Sequence, residues 1–98
     1  MKFTIAFTPE ALDDLNSFKK FEQKILFELI ETRLQYEPTM RTRHRKRLRP
    51  NRLAEWELRI GKFRVFYDVD VQMNFIKVEA IGYKAGSKLF IHGEEYEL

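Results

Sequence analysis

The chain opens on an alternation. From Lys2 to Phe7, the residues Phe3, Ile5 and Phe7 fall on one side, which is the period-two pattern of a half-buried strand. Thr8-Pro9-Glu10 follows; Thr can cap a helix and Pro can take its first position, so a helix begins here. Leu12, Leu15 and Phe18 then recur at helical spacing, and Lys19 to Phe21 reads as a break. A second helix carries Ile25, Leu26, Leu29, Ile30 and Leu34 until Pro38 ends it. Apolar stripes of this kind are core-facing surfaces.

Period two returns after residue 55. Trp56, Leu58 and Ile60 alternate with Glu57 and Arg59, and Phe63, Val65, Tyr67 and Val69 alternate with Arg64, Phe66, Asp68 and Asp70. Gly61-Lys62 stands between the two runs as a two-residue hairpin loop of the primed type, which fixes the register. Ile60 then faces Phe63, Leu58 faces Val65 and Trp56 faces Tyr67 on one side of the sheet. On the other, Arg59 lies across from Arg64 and Glu57 across from Phe66. A further strand, Phe75 to Tyr83, follows the turn Gln72-Met73-Asn74. Gly82 to Lys88 reads as a polar exit loop that brings Lys84 and Lys88 beside the Arg pair, and Leu89 to Leu98 closes with a hairpin about His92-Gly93. The pattern predicts an α+β fold: an N-terminal strand, two helices, a mainly antiparallel sheet of three or four strands, and a short C-terminal hairpin.

Composition bounds the reading. The 98 residues, 44% apolar with nine Phe, four Tyr and one Trp, can fill one core, so residues 1–98 are taken as a single domain. The chain lacks cysteine and has two histidines, which excludes a disulfide framework and a thiolate zinc site and makes a metal or other cofactor an unlooked-for component. No apolar stretch approaches the ~20 residues needed to span a bilayer, and no secretory leader is visible. A cytoplasmic protein without a membrane partner is the expectation.

Charge changes the picture more. Residues 1–40 carry five basic and seven acidic side chains and residues 53–98 six and eight, whereas Arg41 to Arg52 holds seven basic residues and no acid. Arg43, Arg45, Lys46, Arg47, Arg49 and Arg52 belong to this run, with His44 among them. Such a segment is either a solvated connector or a site for a polyanion, because crowded like charges cost the folded state unless neutralised. Its Arg content suits phosphate, whose geometry the planar guanidinium fork matches, and favours nucleic acid over an acidic protein partner. The facing pair Arg59 and Arg64 points the same way, since like charges directly opposite destabilise a sheet. The bland reading is that each reaches a diagonal acid, Glu57 or Asp68.

The order of elements resembles the RelE/ParE superfamily of bacterial toxins from type II toxin-antitoxin systems. "RLRPNRLAEWELRIGKFRVFYDVD", residues 47–70, is similar to that family's central motif: a basic-leucine segment, an aromatic-x-x-Arg strand, a short turn and an aromatic-Arg-x-x-Tyr strand. "VEAIGYK", residues 78–84, is similar to the next strand and its basic exit. In the RelE and HigB-like branch, which Glu57 before Leu-Arg resembles, the implied activity is ribosome-dependent cleavage of messenger RNA. The resemblance then implies that Arg59, Arg64 and Lys84 contact the scissile phosphate. It also implies a cognate antitoxin, the ribosome and mRNA as partners. The family position held by a Tyr in RelE is Phe90 here.

Cleavage through the RNA's own 2′-hydroxyl needs in-line geometry, a proton acceptor and positive charge at the phosphorane. Arg59, Arg64 and Lys84 supply the charge; His92, Tyr83 and Glu57 are the candidate acceptors. Phe90 and Phe66 are candidates for stacking on bases, with the basic segment and Lys88 as RNA-binding residues. The alternatives are a ParE-like toxin that binds DNA gyrase and a degenerate relative that only binds its antitoxin.

Overall fold

The structure, a computed structural model, describes residues 2–98. In chain order the elements are β1 (Thr4–Phe7), α1 (Pro9–Asn16), α2 (Lys20–Leu34), β2 (Arg45–Arg47), β3 (Trp56–Ile60), β4 (Phe63–Asp70), β5 (Phe75–Ala85), β6 (Lys88–Ile91) and β7 (Glu94–Tyr96). They form one seven-stranded sheet in the order β2-β3-β4-β5-β6-β7, with β1 also paired to β5. Both helices cover one face. The sheet is antiparallel except for β1, which runs parallel to β5 with Thr4 opposite Phe75 and Phe7 opposite Val78. The predicted α+β order is therefore the observed one, and the sheet is wider because β2 and the C-terminal hairpin join it.

Local sequence accounts for the helix starts. The Thr8 hydroxyl oxygen accepts from the Ala11 N–H at 3.1 Å, capping α1, and the same hydroxyl donates to the Glu79 carbonyl of β5 at 3.1 Å. For α2, the Glu22 carboxylate accepts from the Lys19 backbone N–H at 3.2 Å, satisfying a donor that the first turn leaves orphaned. Leu26, Ile30 and Leu34, spaced by four, are fully buried against the sheet. Leu12 and Ile25, expected in the core stripe, are 45% and 47% exposed. The helical period explains the difference, since Ile25 lies one residue, about 100°, away from the buried row.

The β3–β4 hairpin has the predicted register: Ile60 faces Phe63, Leu58 faces Val65, Trp56 faces Tyr67, and Arg59 faces Arg64. Gly61 sits at φ +55°, a conformation Gly adopts without steric cost in the first position of a primed turn. The three apolar pairs join the core beneath the helices, together with Ile76, Val78 and Ile81. Burying side chains of this size contributes roughly 1.5–3 kcal/mol each. A smaller cluster covers part of the other face: Phe66, Ala80, Leu89 and Ile91 with Ala54. Between Phe66 and Tyr67 the β4–β5 register shifts, leaving Glu79 as the extra residue of a bulge.

Two elements differ from expectation. β5 continues through Lys84 to Ala85 and turns through Gly86-Ser87 directly into β6, so residues 82–85 are strand and not an exit loop. The middle of the basic run forms β2, in which Arg45, Lys46 and Arg47 pair with Leu58, Glu57 and Trp56. A charged run carries no apolar period to announce a strand; at a sheet edge, backbone pairing alone suffices. The C-terminal hairpin turns at His92-Gly93 as predicted, with φ of +55° and +79°. Among the described residues no helix is long and apolar enough to cross a membrane.

Candidate functional site

Alternation along β3, β4 and β5 sorts the side chains between the two faces. With Trp56, Leu58, Val65 and Tyr67 under the helices, Arg59 and Arg64 take the opposite face. Gly82 lies beside Arg64 in β5, and Lys84, two residues on, shares its face. A Cβ at Gly82 would stand 2.8 Å from Cγ1 of Ile91 and closer still to the Phe90 carbonyl; only glycine lets β6 approach here. Arg59, Arg64 and Lys84 line one cleft of about 960 Å³, with Lys46, Arg47 and Arg49 along one flank and Lys88 along another. Seven basic and three acidic side chains line it.

These cations are held differently. Arg59 is exposed. Arg64 is buried at 8% exposure, and its Nη1 donates to the carbonyls of Gly61 at 2.8 Å and Phe63 at 2.9 Å. The side chain expected to face a phosphate or a diagonal acid thus braces the hairpin turn. Burial, and after it the charge on Arg59, lowers its pKa from the ordinary value, while Glu57 acts in the opposite sense. A cation so placed gains from an anion brought to it. Among the described residues no carboxylate comes within ion-pair distance of Arg59, Arg64 or Lys84. Glu57, 8% exposed, has Lys46 at 3.9 Å and is the buried carboxylate of this cleft.

The basic segment is folded and only part of it is available. Arg45 Nη1 donates to the carbonyls of Glu37 and of Met40, the latter at 3.3 Å, so Arg45 clamps the chain leaving α2. Its neighbour there, Tyr67, donates from its hydroxyl to the Pro38 carbonyl at 2.6 Å, and burial raises its pKa. Arg47 meets Glu55 at 3.4 Å and lies over the Trp56 ring at 5.9 Å. Asn51 organises the return: its Nδ2 donates to the Arg49 and Ala54 carbonyls and its Oδ1 accepts from the Leu53 and Ala54 N–H groups. Arg43, Arg49 and Arg52 remain exposed and make no ion pair among the described residues. Arg49 and Lys88 reach the cleft; Arg43 and Arg52 do not.

Four expected participants lie elsewhere. His92 Nδ1 is 2.7 Å from Oδ1 of Asp14, in a second cleft of about 760 Å³ between α1 and the sheet rim, lined also by Tyr83, Phe18 and Phe63. Phe90 pairs with Tyr83 and stacks on it at 5.4 Å; strand parity turns both rings toward the helices, away from Arg59. Phe66 is fully buried in the smaller core, out of reach of any base. None of His92, Tyr83, Phe90 or Phe66 lines the basic cleft. Asp14, Asn51, Glu95 and Glu97 were not anticipated, although Asp14 gave a signal by sharing the buried face of α1 with Ala11 and Leu15. Among the described residues no cluster of three side chains is placed to hold a metal ion.

A family model described as the ParE toxin of the type II toxin-antitoxin system, parDE, matches residues 5–86. The chain belongs to the ParE toxin family. The matched span runs from β1 to the β5–β6 turn and contains Arg59, Arg64 and Lys84. No curated protein matches this toxin. Among solved structures, it is similar to the toxin-antitoxin complex RelBE2 from Mycobacterium tuberculosis, at 23% identity and a TM-score of 0.75, over 86% of this chain and 100% of that one. It is also similar to the archaeal RelE-RelB complex from Pyrococcus horikoshii OT3, at 24% identity and a TM-score of 0.63, over 80% of this chain and 90% of that one. Both likenesses are of fold.

Proposed function

We propose that this toxin cleaves messenger RNA through the RNA's own 2′-hydroxyl, with the basic cleft gripping the scissile phosphate on the ribosome. The observation that carries the reading is the convergence of Arg59, Arg64 and Lys84 on one cleft with no carboxylate in ion-pair range among the described residues. Arg59 and Lys84 donate to the non-bridging oxygens. Arg64, fixed by the hairpin carbonyls, adds positive charge where the phosphorane develops. Glu57 is the acceptor for the 2′-hydroxyl proton, because it is the buried carboxylate of the cleft and His92 stands in another; the 2′-oxygen bonds to phosphorus as the bond to the 5′-oxygen breaks, leaving a 2′,3′-cyclic phosphate and a 5′-hydroxyl that takes its proton from solvent. Arg47, Arg49 and Lys88 hold flanking phosphates. The proposed setting is the cytoplasm and the proposed silencing partner an antitoxin, supported by the two toxin-antitoxin complexes that share the fold.

A second reading is inhibition of DNA gyrase. It is supported by the match to the ParE model and by the absence of Phe90 from the cleft. Induction in cells separates the two. Transcripts cut within coding sequence while supercoiling persists support the nuclease; gyrase-linked DNA breaks with intact transcripts support the other reading and turn the cleft into a binding surface.

A further inference from the structure

One edge of the sheet is unguarded. β2 and β7 end the long path of strands, while β1 is paired to β5 alone. An open strand edge invites another chain unless charge, Pro or a bulge protects it. β2 carries Arg45, Lys46 and Arg47, with the outward backbone groups of Arg45 taken by Thr42, and β7 carries Glu94 and Glu95. β1, Thr-Ile-Ala-Phe, has no such residue. Its open groups follow from parity. The N–H groups of Thr4 and Thr8 donate to the Asn74 and Val78 carbonyls at 2.8 and 3.0 Å, so Thr4, Ala6 and Thr8 direct their backbone polar groups to β5, and Phe3, Ile5 and Phe7 direct theirs outward. The Phe3 N–H is taken by the Gln35 carbonyl at 2.7 Å. Ile5 and Phe7 have no strand neighbour on that side among the described residues. A groove of about 500 Å³ runs along this edge, lined by Ile5, Phe7, Phe27 and Ile30 and by Lys2 and Glu31. Phe27 stacks on Phe7 at 5.9 Å and is still 51% exposed.

We infer that β1 pairs with β1 of a second copy, antiparallel about a two-fold axis at Ala6, joining two toxins into one continuous sheet. That register sets each Ile5 against Phe7 of the copy as a pair exchanging both hydrogen bonds, which satisfies the open groups of both residues. At the axis Ala6 meets Ala6 in a pair without hydrogen bonds, where side chains approach most closely and small ones fit. The edge also complements itself in charge. α2 runs antiparallel to β1, since Phe27 lies on Phe7 and Gln35 beside Phe3. Lys24, Phe27 and Glu31 share one flank of α2 at helical spacing, and neither charge has an ion pair among the described residues. A two-fold brings the Lys24 end of each α2 toward the Glu31 end of its copy. Arg59, Arg64 and Lys84 do not line this groove, so the inference stands apart from the reading of the basic cleft.

The test uses the full chain, which has no cysteine of its own. Sedimentation over a range of concentrations should show monomer in equilibrium with dimer; a chain that stays monomeric overturns the proposal and leaves the edge to a strand of another protein. Ala6→Cys sets two thiols across the axis at a Cα separation of roughly 4.5 Å, within disulfide range. Mild oxidation should then give a covalent dimer about ten-fold faster than with Ser87→Cys, an exposed position in the turn beyond the far end of β5. Equal rates overturn the pairing. Lys24→Glu should weaken the dimer about five-fold by turning two exposed attractions into repulsions, and adding Glu31→Lys should restore it. A double variant no tighter than Lys24→Glu alone overturns the two-fold arrangement.

Discussion

The two clefts are both lined by charged side chains and put them to opposite uses. In the cleft beside α1, Asp14 is 6% exposed and accepts from the Ile81 N–H at 2.9 Å as well as meeting His92, and Glu22 meets Lys62 at 3.4 Å. Those acidic and basic groups answer one another, and the arrangement pins α1 and the start of α2 to the sheet rim. In the basic cleft Arg59 and Lys84 have no such answer, and Arg64 is held by carbonyls that leave its charge uncancelled. The difference teaches where to look for function. A satisfied cluster already has its partners, whereas an uncancelled one is where an incoming anion would gain most.

The largest expected effect breaks the basic side of this contrast. Arg59→Ala should lower cleavage of ribosome-bound RNA by about 10²-fold or more, the loss typical of one transition-state donor, with an unchanged melting temperature; retained cleavage would remove Arg59 from the chemistry. On the scaffold side, Asp14→Ala strands the Ile81 N–H and should cost about 1–3 kcal/mol of stability. His92→Ala should follow it with a smaller loss, and thermal melts of the two should bracket the pair. A folded Asp14→Ala protein that has lost cleavage but not stability would reverse the assignment of the two clefts. Arg64 straddles them. Losing its two turn hydrogen bonds should cost about 1–2 kcal/mol, partly offset by relief from Arg59, so Arg64→Ala should both melt earlier and cleave less.

The smallest effect is electrostatic and lies outside both clefts. Burial first, and after it the hydrogen bond with Asp68, raises the Glu79 pKa above its ordinary value, against the opposing pull of Lys77. The folded state therefore binds this proton more tightly than the unfolded chain does. Stability from that source is fully present below the ordinary carboxylate range and is lost as pH rises through the raised value. Glu79→Gln should accordingly gain in melting temperature relative to the wild type as pH climbs from acid toward neutrality. A gap that stays constant with pH would mean that the carboxyl titrates normally.

The β3–β4 hairpin was legible to the residue, because period two and a Gly-initiated loop leave one register that buries Trp56, Leu58 and Val65 together. Sheet parity alone placed Arg59 and Arg64 on a shared face. What escaped depended on contacts between distant segments. The bracing role of Arg64 was missed because the carbonyls that hold its guanidinium belong to backbone, which sequence does not distinguish. Phe90 was a candidate for stacking on bases because the pairing of its segment with the strand ending at Tyr83 was not read; once β6 pairs with a β5 that runs to Ala85, parity sends both rings toward the helices. His92 went to Asp14 because α1 crosses that end of the sheet, a docking that neither segment announces. The basic run hid a strand and an Asn51-organised turn, since a row of cations has no period to read.

The parallel pairing of β1 with β5 sets the order in which the molecule can be completed. Residues 4–7 find their partners only at residues 75–78, so a chain emerging from the synthesis tunnel cannot close its N-terminal strand until residue 78 has been made and has emerged. The β3–β4 hairpin needs only its own two-residue turn and can form early, whereas β1 is a long-range closure that comes late. A nascent toxin thus displays its cationic hairpin before its fold is locked, and the interval before β1 docks is the window in which a co-translated binding protein has the least structure to compete against.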